Sequence, residues 1–146
     1  MAAMTTIDDV TGTAGPWVHR LNRSDVSAIR DAAVAVDVLV VELDGSRMRT
    51  LDDLLDEYAR AFSFPQPWGE NWPAFAEFMG SLTWLPARKY LVIISNSFEV
   101  LREEPERIST YLRHLERQGR RWSTAVGLGY EWGHSDVPFH TLLITD

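Results

Sequence analysis

Three short apolar runs limit the fold of this chain more than any other feature. They are Val38-Leu39-Val40-Val41-Glu42-Leu43, Tyr90-Leu91-Val92-Ile93-Ile94 and Pro138-Phe139-His140-Thr141-Leu142-Leu143-Ile144, nearly continuous in hydrophobicity rather than alternating. A strand covered on both faces reads this way, because neither set of side chains meets water. Between the runs, apolar residues repeat at helical spacing. After the Asp44-Gly45 turn, Thr50 with Asp53 resembles a capping box, and Leu51, Leu54, Leu55, Tyr58 and Phe62 form a stripe that Pro65 and Pro67 terminate. Ser95–Leu101 reads as a short helical turn. Glu104-Pro105 opens a later helix with Ile108, Tyr111, Leu112 and Leu115 as its stripe and Gly119 as its C-terminal glycine. Strands alternating with helices predict an α/β fold, a small three-stranded parallel sheet packed with helices and joined by right-handed crossovers.

The first run begins at residue 38, which divides the chain. Residues 1–15, rich in Thr, Ala and Gly, read as a disordered tail. Residues 16–37 form an N-terminal extension: Trp17–Asn22 alternates loosely, as a short strand or an extended arm does, and Ser24 or Asp25 is placed to cap a helix toward Val36. Residues 38–146 form the domain proper. With 146 residues, 45% of them hydrophobic, the chain can bury a real core. A formal net charge of −7 disfavours nucleic acid or an anionic membrane surface as partner and suits a basic protein, although ordinary soluble proteins are often this acidic. The absence of cysteine removes disulfides, thiolate zinc sites and a cysteine nucleophile. Met1–Gly15 carries Asp8 and Asp9 and lacks the apolar core of a secretory signal, and no apolar run is long enough for a membrane span, so a cytoplasmic location is expected.

Phe64–Met79 is the most informative stretch: a proline-studded turn, a glycine between an aromatic and an acid, then a short helix. Asn71 suits the N-cap, since its side chain can accept from a first-turn amide, and Pro73 is tolerable only in that first turn. At about 100° per residue, Trp72, Phe75, Phe78, Met79 and Leu82 gather on one side and Pro73, Glu77 and Gly80 on the other. The second side is short, rigid and carries one carboxylate. A docking surface has this form, as does a plain solvated face.

These residues also carry a family resemblance. Pro65-x-x-Trp68-Gly69-Glu70-Asn71-Trp72-x-Ala74-Phe75-x-Glu77 resembles the signature of the barstar family, intracellular inhibitors of secreted microbial ribonucleases. The resemblance runs from about Val38 to Ile144 and implies the same small α/β architecture. It implies that the turn and the first half of the helix plug a ribonuclease active site, acidic side chains standing where substrate phosphates would bind. Glu77 matches the family's principal helix aspartate and is one methylene longer. Pro73 stands at the position of a second aspartate, Pro67 at that of the turn tyrosine and Ala76 at that of the helix tryptophan. Aligning Gly119 with the family's helix-ending glycine places His114 and Gln118 where the inhibitor of barnase has glutamates. The partner surface implied is therefore Pro67, Trp68, Gly69, Glu70, Asn71, Pro73, Ala76, Glu77, Gly80 and His114. Within it Trp68 and Trp72 also serve as core anchors, and Gly69 and Asn71 as backbone devices that present the rest. The implied partner is a basic ribonuclease or other toxin, with no small-molecule ligand or cofactor. The thinner acidic face points to a target other than barnase.

Catalytic motifs are scarce. The sequence has no G-x-S-x-G, Walker A or G-x-G-x-x-G pattern, and Gly127–Asp136 reads as a glycine-rich loop. His134-Ser135-Asp136 holds triad residue types, but adjacent loop residues cannot supply triad geometry. His19, His114, His134 and His140 never fall at i, i+4, and His140 within an apolar strand reads as a hydrogen-bonded core histidine. Arg113, Arg117, Arg120 and Arg121 crowd the end of the later helix, where cations offset the dipole; that reading is preferred over a basic binding site. The expected function is inhibition without catalysis. The alternatives are a regulatory interaction module on the same fold and a small hydrolase built on Gly127–His140.

Overall fold

A computed structural model describes residues 5–124 and 136–146. Four strands, β1 (Val18–Leu21), β2 (Leu39–Asp44), β3 (Tyr90–Ser95) and β4 (Phe139–Ile144), form one sheet in the order β1-β4-β3-β2. All three pairings are parallel, with Val41 opposite Val92, Val92 opposite Thr141 and Thr141 opposite Val18. The expected α/β class and the three expected strands are present, and a fourth strand is added. That strand comes from the N-terminal extension, whose loose alternation matches an edge position: His19 and Leu21 are buried and Arg20 is exposed.

The helices α1 (Ile7–Thr11), α2 (Arg23–Ala35), α3 (Leu51–Ala61), α4 (Trp72–Ser81) and α5 (Ile108–Ser123) cover both faces of the sheet. Side-chain alternation along each strand sorts the core in two. Tyr90, Val92, Ile94, Phe139 and Leu143 face α3, α4 and α5 in the larger cluster. Leu91, Ile93, Leu142 and Ile144 face Val10 of α1 and Val26, Ile29 and Ala33 of α2. Burial on both faces accounts for the nearly continuous apolar runs of β3 and β4.

Several local expectations are corrected. Residues 7–11, placed in a disordered tail, form a helical turn closed by a Thr6–Asp9 capping box and buried at Val10. The second helix begins after Asn22 rather than at Ser24 or Asp25. Gly119 does not end α5, which continues to Ser123. It is buried inside the helix, where a Cβ would collide with Trp17, so the glycine lets α5 approach the chain just before β1. Thr50 caps α3 as expected, accepting from the Asp53 amide at 3.2 Å. Ser97–Glu99 is a short 3-10 turn, and Pro105–Arg107 another that leads into α5.

Candidate partner-binding site

The turn before α4 is shaped by its backbone. Gly69 has φ +88°, and a Cβ there would lie 3.2 Å from the Cβ of Ala74; Glu70 follows at φ +48°. Two successive residues in this region need a residue without a Cβ at the more strained of the two positions. The chain then drops into the N-cap, where Asn71 Oδ1 accepts from the Ala74 amide at 2.8 Å and the Asn71 carbonyl accepts from Phe75 N at 2.8 Å. Trp72 and Pro73 open the helix without losing a hydrogen bond.

Aromatic packing holds the turn from below. Trp68, placed by the resemblance at the partner surface, is only 4% exposed and meets Phe64 edge to face at 4.9 Å. It is an anchor of the core, and its size accounts for both its place in the signature and its burial. Phe64, Phe78 and Trp84 complete the cluster, and Trp84 Nε1 donates to the Phe62 carbonyl at 2.7 Å. Gly80 is likewise buried, facing α5 rather than solvent.

What remains outward is a continuous strip. Pro67, Gly69, Glu70, Asn71, Pro73 and Glu77 are exposed, and Ala76 is half-buried. Neither Glu70 nor Glu77 makes an ion pair among the described residues. Elsewhere acidic side chains do pair with arginines, for example Glu42 with Arg30 at 2.6 Å and Glu57 with Arg60 at 2.7 Å. The strip therefore offers unneutralised carboxylates on a backbone fixed by a cap, a prolyl turn and a buried tryptophan.

His114 of α5 joins the strip at its edge. Its ring stacks on Trp72 with centroids 4.6 Å apart, and burial followed by the charges of Arg117 and Arg113 lowers its pKa below the usual histidine value. Beside it a cleft of about 250 Å3 opens between α4 and α5, lined by Ala76, Gly80, His114, Arg117, Gln118 and Arg121. Sequence reasoning assigned the arginines to the helix dipole. Their convergence on the small residues of α4 depends on how two helices cross, which no local pattern reports.

The residues of the hydrolase alternative are only partly described: Gly127–Ser135 lie outside the described residues, and Asp136 is exposed. His140 is fully buried, with Nδ1 2.9 Å from His19 Nε2 and Nε2 2.8 Å from the Gly12 carbonyl. Both ring nitrogens are engaged, as a core histidine's should be. Among the described residues no cluster of potential metal ligands occurs, and no helix is long and apolar enough to cross a membrane.

Comparison with curated proteins gives no match. A family model described as "Barstar (barnase inhibitor)" matches residues 38–144, well over half of the sequence and the whole of the turn, α4, α5 and the last three strands. The chain belongs to the barstar family.

Proposed function

We propose that this protein is an inhibitor that binds a basic ribonuclease or related toxin and plugs its active site with the turn and first half of α4. Glu77 is the phosphate mimic. The observation that carries the reading is the exposed, unpaired Glu77 on a helix whose start is locked by Asn71 and Trp68. Membership of the barstar family and the net charge of −7 support it, since opposite charge accelerates encounter with a basic partner. The mechanism is occlusion with electrostatic mimicry. Pro67, Gly69, Glu70, Asn71 and Pro73 contribute shape, and Glu77 contributes a charge that the partner's Arg, Lys or His residues desolvate. A role inside the cell, as an immunity protein against such an enzyme, follows naturally.

The test is a capture from lysate and culture medium of the source organism with wild-type protein and Glu77→Arg as paired baits, followed by nuclease assay of the captured partner. Reversing the charge should weaken binding by about 2–5 kcal/mol, a range to which barnase–barstar itself contributes, while leaving thermal stability within about 0.5 kcal/mol. Equal capture by both baits would remove Glu77 from the interface.

A second reading, a regulatory interaction module with a non-nuclease partner, is favoured by one observation. The α5 side of the strip carries His114 and Gln118 where the resemblance places acids, with Arg117 and Arg121 beside them. Capture of a partner without nuclease activity, lost on Glu77→Arg, would select it.

A further inference from the structure

The α4–α5 cleft has a chemistry of its own. Its α4 wall is Ala76 and Gly80, which together offer a single methyl group and leave room for the long side chains of α5 to converge. The titratable or hydrogen-bonding side chains of the lining are two guanidinium groups, an imidazole and a carboxamide, and none is a carboxylate.

Three observations bear on what this cleft could take. Gln118 is 7% exposed, and its Nε2 is buried without a hydrogen-bond partner. A native protein rarely leaves such a donor unanswered. Arg117 and Arg121 make no ion pair among the described residues, so neither guanidinium charge in the cleft is neutralised by a described carboxylate. His114 shares the surroundings of these charges: burial first, and then Arg117 and Arg113, lowers its pKa below the usual histidine value. Besides the neighbouring Glu77 carboxylate, one feature opposes an anion here: the C-terminal end of α5 carries about half a unit of negative charge from its dipole. Two full guanidinium charges at the same end outweigh it.

We infer that this cleft is an oxyanion subsite, taking a carboxylate or phosphate group between the guanidiniums of Arg117 and Arg121 with the Gln118 carboxamide at its floor. Planar guanidinium forks suit both ligands, which present paired oxygens at matching spacing. The subsite stands on its own geometry and not on the role of Glu77, but its position bears on the partner. Ala76 and Gly80 lie one residue before and three residues after Glu77, so the cleft opens beside that carboxylate. A protein crossing both would place a cation on Glu77 and an anion in the cleft. The resemblance places glutamates of the barnase inhibitor at positions 114 and 118, so this chain has no carboxylate at either.

The test titrates the whole protein by NMR with sodium phosphate, with sodium acetate and with sodium chloride at matched ionic strength, following the Gln118 side-chain amide and the His114 ring. Phosphate or acetate should give saturable shifts at both groups where chloride gives none. The double variant Arg117→Gln, Arg121→Gln should weaken the response by at least about 10-fold, as expected for removing charged hydrogen-bond donors. Both arginines are exposed, and an unchanged melting curve shows that the variant is folded. Saturation by phosphate alone marks a tetrahedral oxyanion as occupant, and saturation by acetate also marks a carboxylate such as an acidic side chain. Unsaturable shifts equal to those in chloride, or an undiminished response in the double variant, would overturn the assignment. Neither result touches the Glu77 proposal, which is read against a captured protein.

Discussion

The indole of Trp72 lies flat on the imidazole of His114, with ring planes 15° apart, and so joins the first turn of α4 to the middle of α5. The same indole meets Phe75 edge to face at 5.6 Å. The outward strip is thereby held by a contact between residues 42 positions apart in sequence, and not by the turn alone.

His114→Ala should therefore destabilise the fold by about 1 kcal/mol, the usual worth of an aromatic pair beyond its area. Urea denaturation followed by tryptophan fluorescence measures this directly. A midpoint identical to wild type would mean that the stack contributes nothing to holding α4.

Asn71→Ala removes the cap and should cost about 1 kcal/mol. Gly69→Ala should cost about 1–2 kcal/mol for a different reason, because an L-residue is strained at φ +88° and its Cβ would press on Ala74. The informative comparison is between stability and partner affinity. If the turn presents the strip, both variants should lose affinity beyond what the small loss of folded protein explains, as read by calorimetry at a temperature where both are folded.

Stability should also depend on pH through the His19–His140 pair. Nε2 of His140 donates to the Gly12 carbonyl, and a neutral His140 ring then has Nδ1 free to accept from His19 Nε2–H, so the geometry satisfies the pair without charge. Burial first, and then His140, lowers the pKa of His19 to about 4, and burial lowers that of His140. Asp9 of α1 and Glu116 of α5 oppose these shifts. In the unfolded chain a histidine titrates near 6.5, so between about 6.5 and 4 the unfolded state binds more protons and stability falls as pH falls. Each histidine adds at most about 1.4 kcal/mol per pH unit to that slope, and its contribution fades to nothing by about pH 8. Melting temperatures across this range for wild type and His19→Gln should diverge in slope. Parallel curves would place the proton uptake elsewhere.

Removing residues 1–37 leaves the whole family-matched region intact, yet the structure predicts that the product will self-associate. Without β1 the edge of β4 is unpaired, and without α1 and α2 the side chains of Leu91, Ile93, Leu142 and Ile144 lose their cover. An open, apolar strand edge is a template for intermolecular pairing. Sedimentation of the truncated chain should show aggregates at concentrations where the full chain is monomeric. A soluble, cooperatively folding monomer would show the extension to be dispensable.

The sequence disclosed those parts of this molecule that depend on short-range patterns. The covered strands, the Thr50 and Asn71 caps and the proline stops were legible because each is settled within a few residues. Gly119 misled for the same reason: a glycine near the end of a periodic stripe looks like a terminator, while its actual cause, Trp17, lies about a hundred residues away. Trp68 could be read as anchor or as contact, and only the aromatic cluster beneath it decides for anchor. The cleft was hidden because Ala76 and Gly80 belong to one helix and Arg117, Gln118 and Arg121 to another. His114 entered the candidate site through alignment, and its stack on Trp72 supplies the physical reason for it to be there.

The parallel pairing of β1 with β4 sets how the molecule would bear a mechanical load. Val18 lies beside Thr141 and Leu21 beside Ile144, so the chain enters the sheet at one end of this pair and leaves it at the other. Tension applied between the two chain ends runs along both strands in opposite senses, and the slanted, evenly spaced hydrogen bonds between them must slide together rather than open one by one. Pulled from its ends, the protein should yield abruptly at high force, with the edge strand contributed by the extension acting as the clasp.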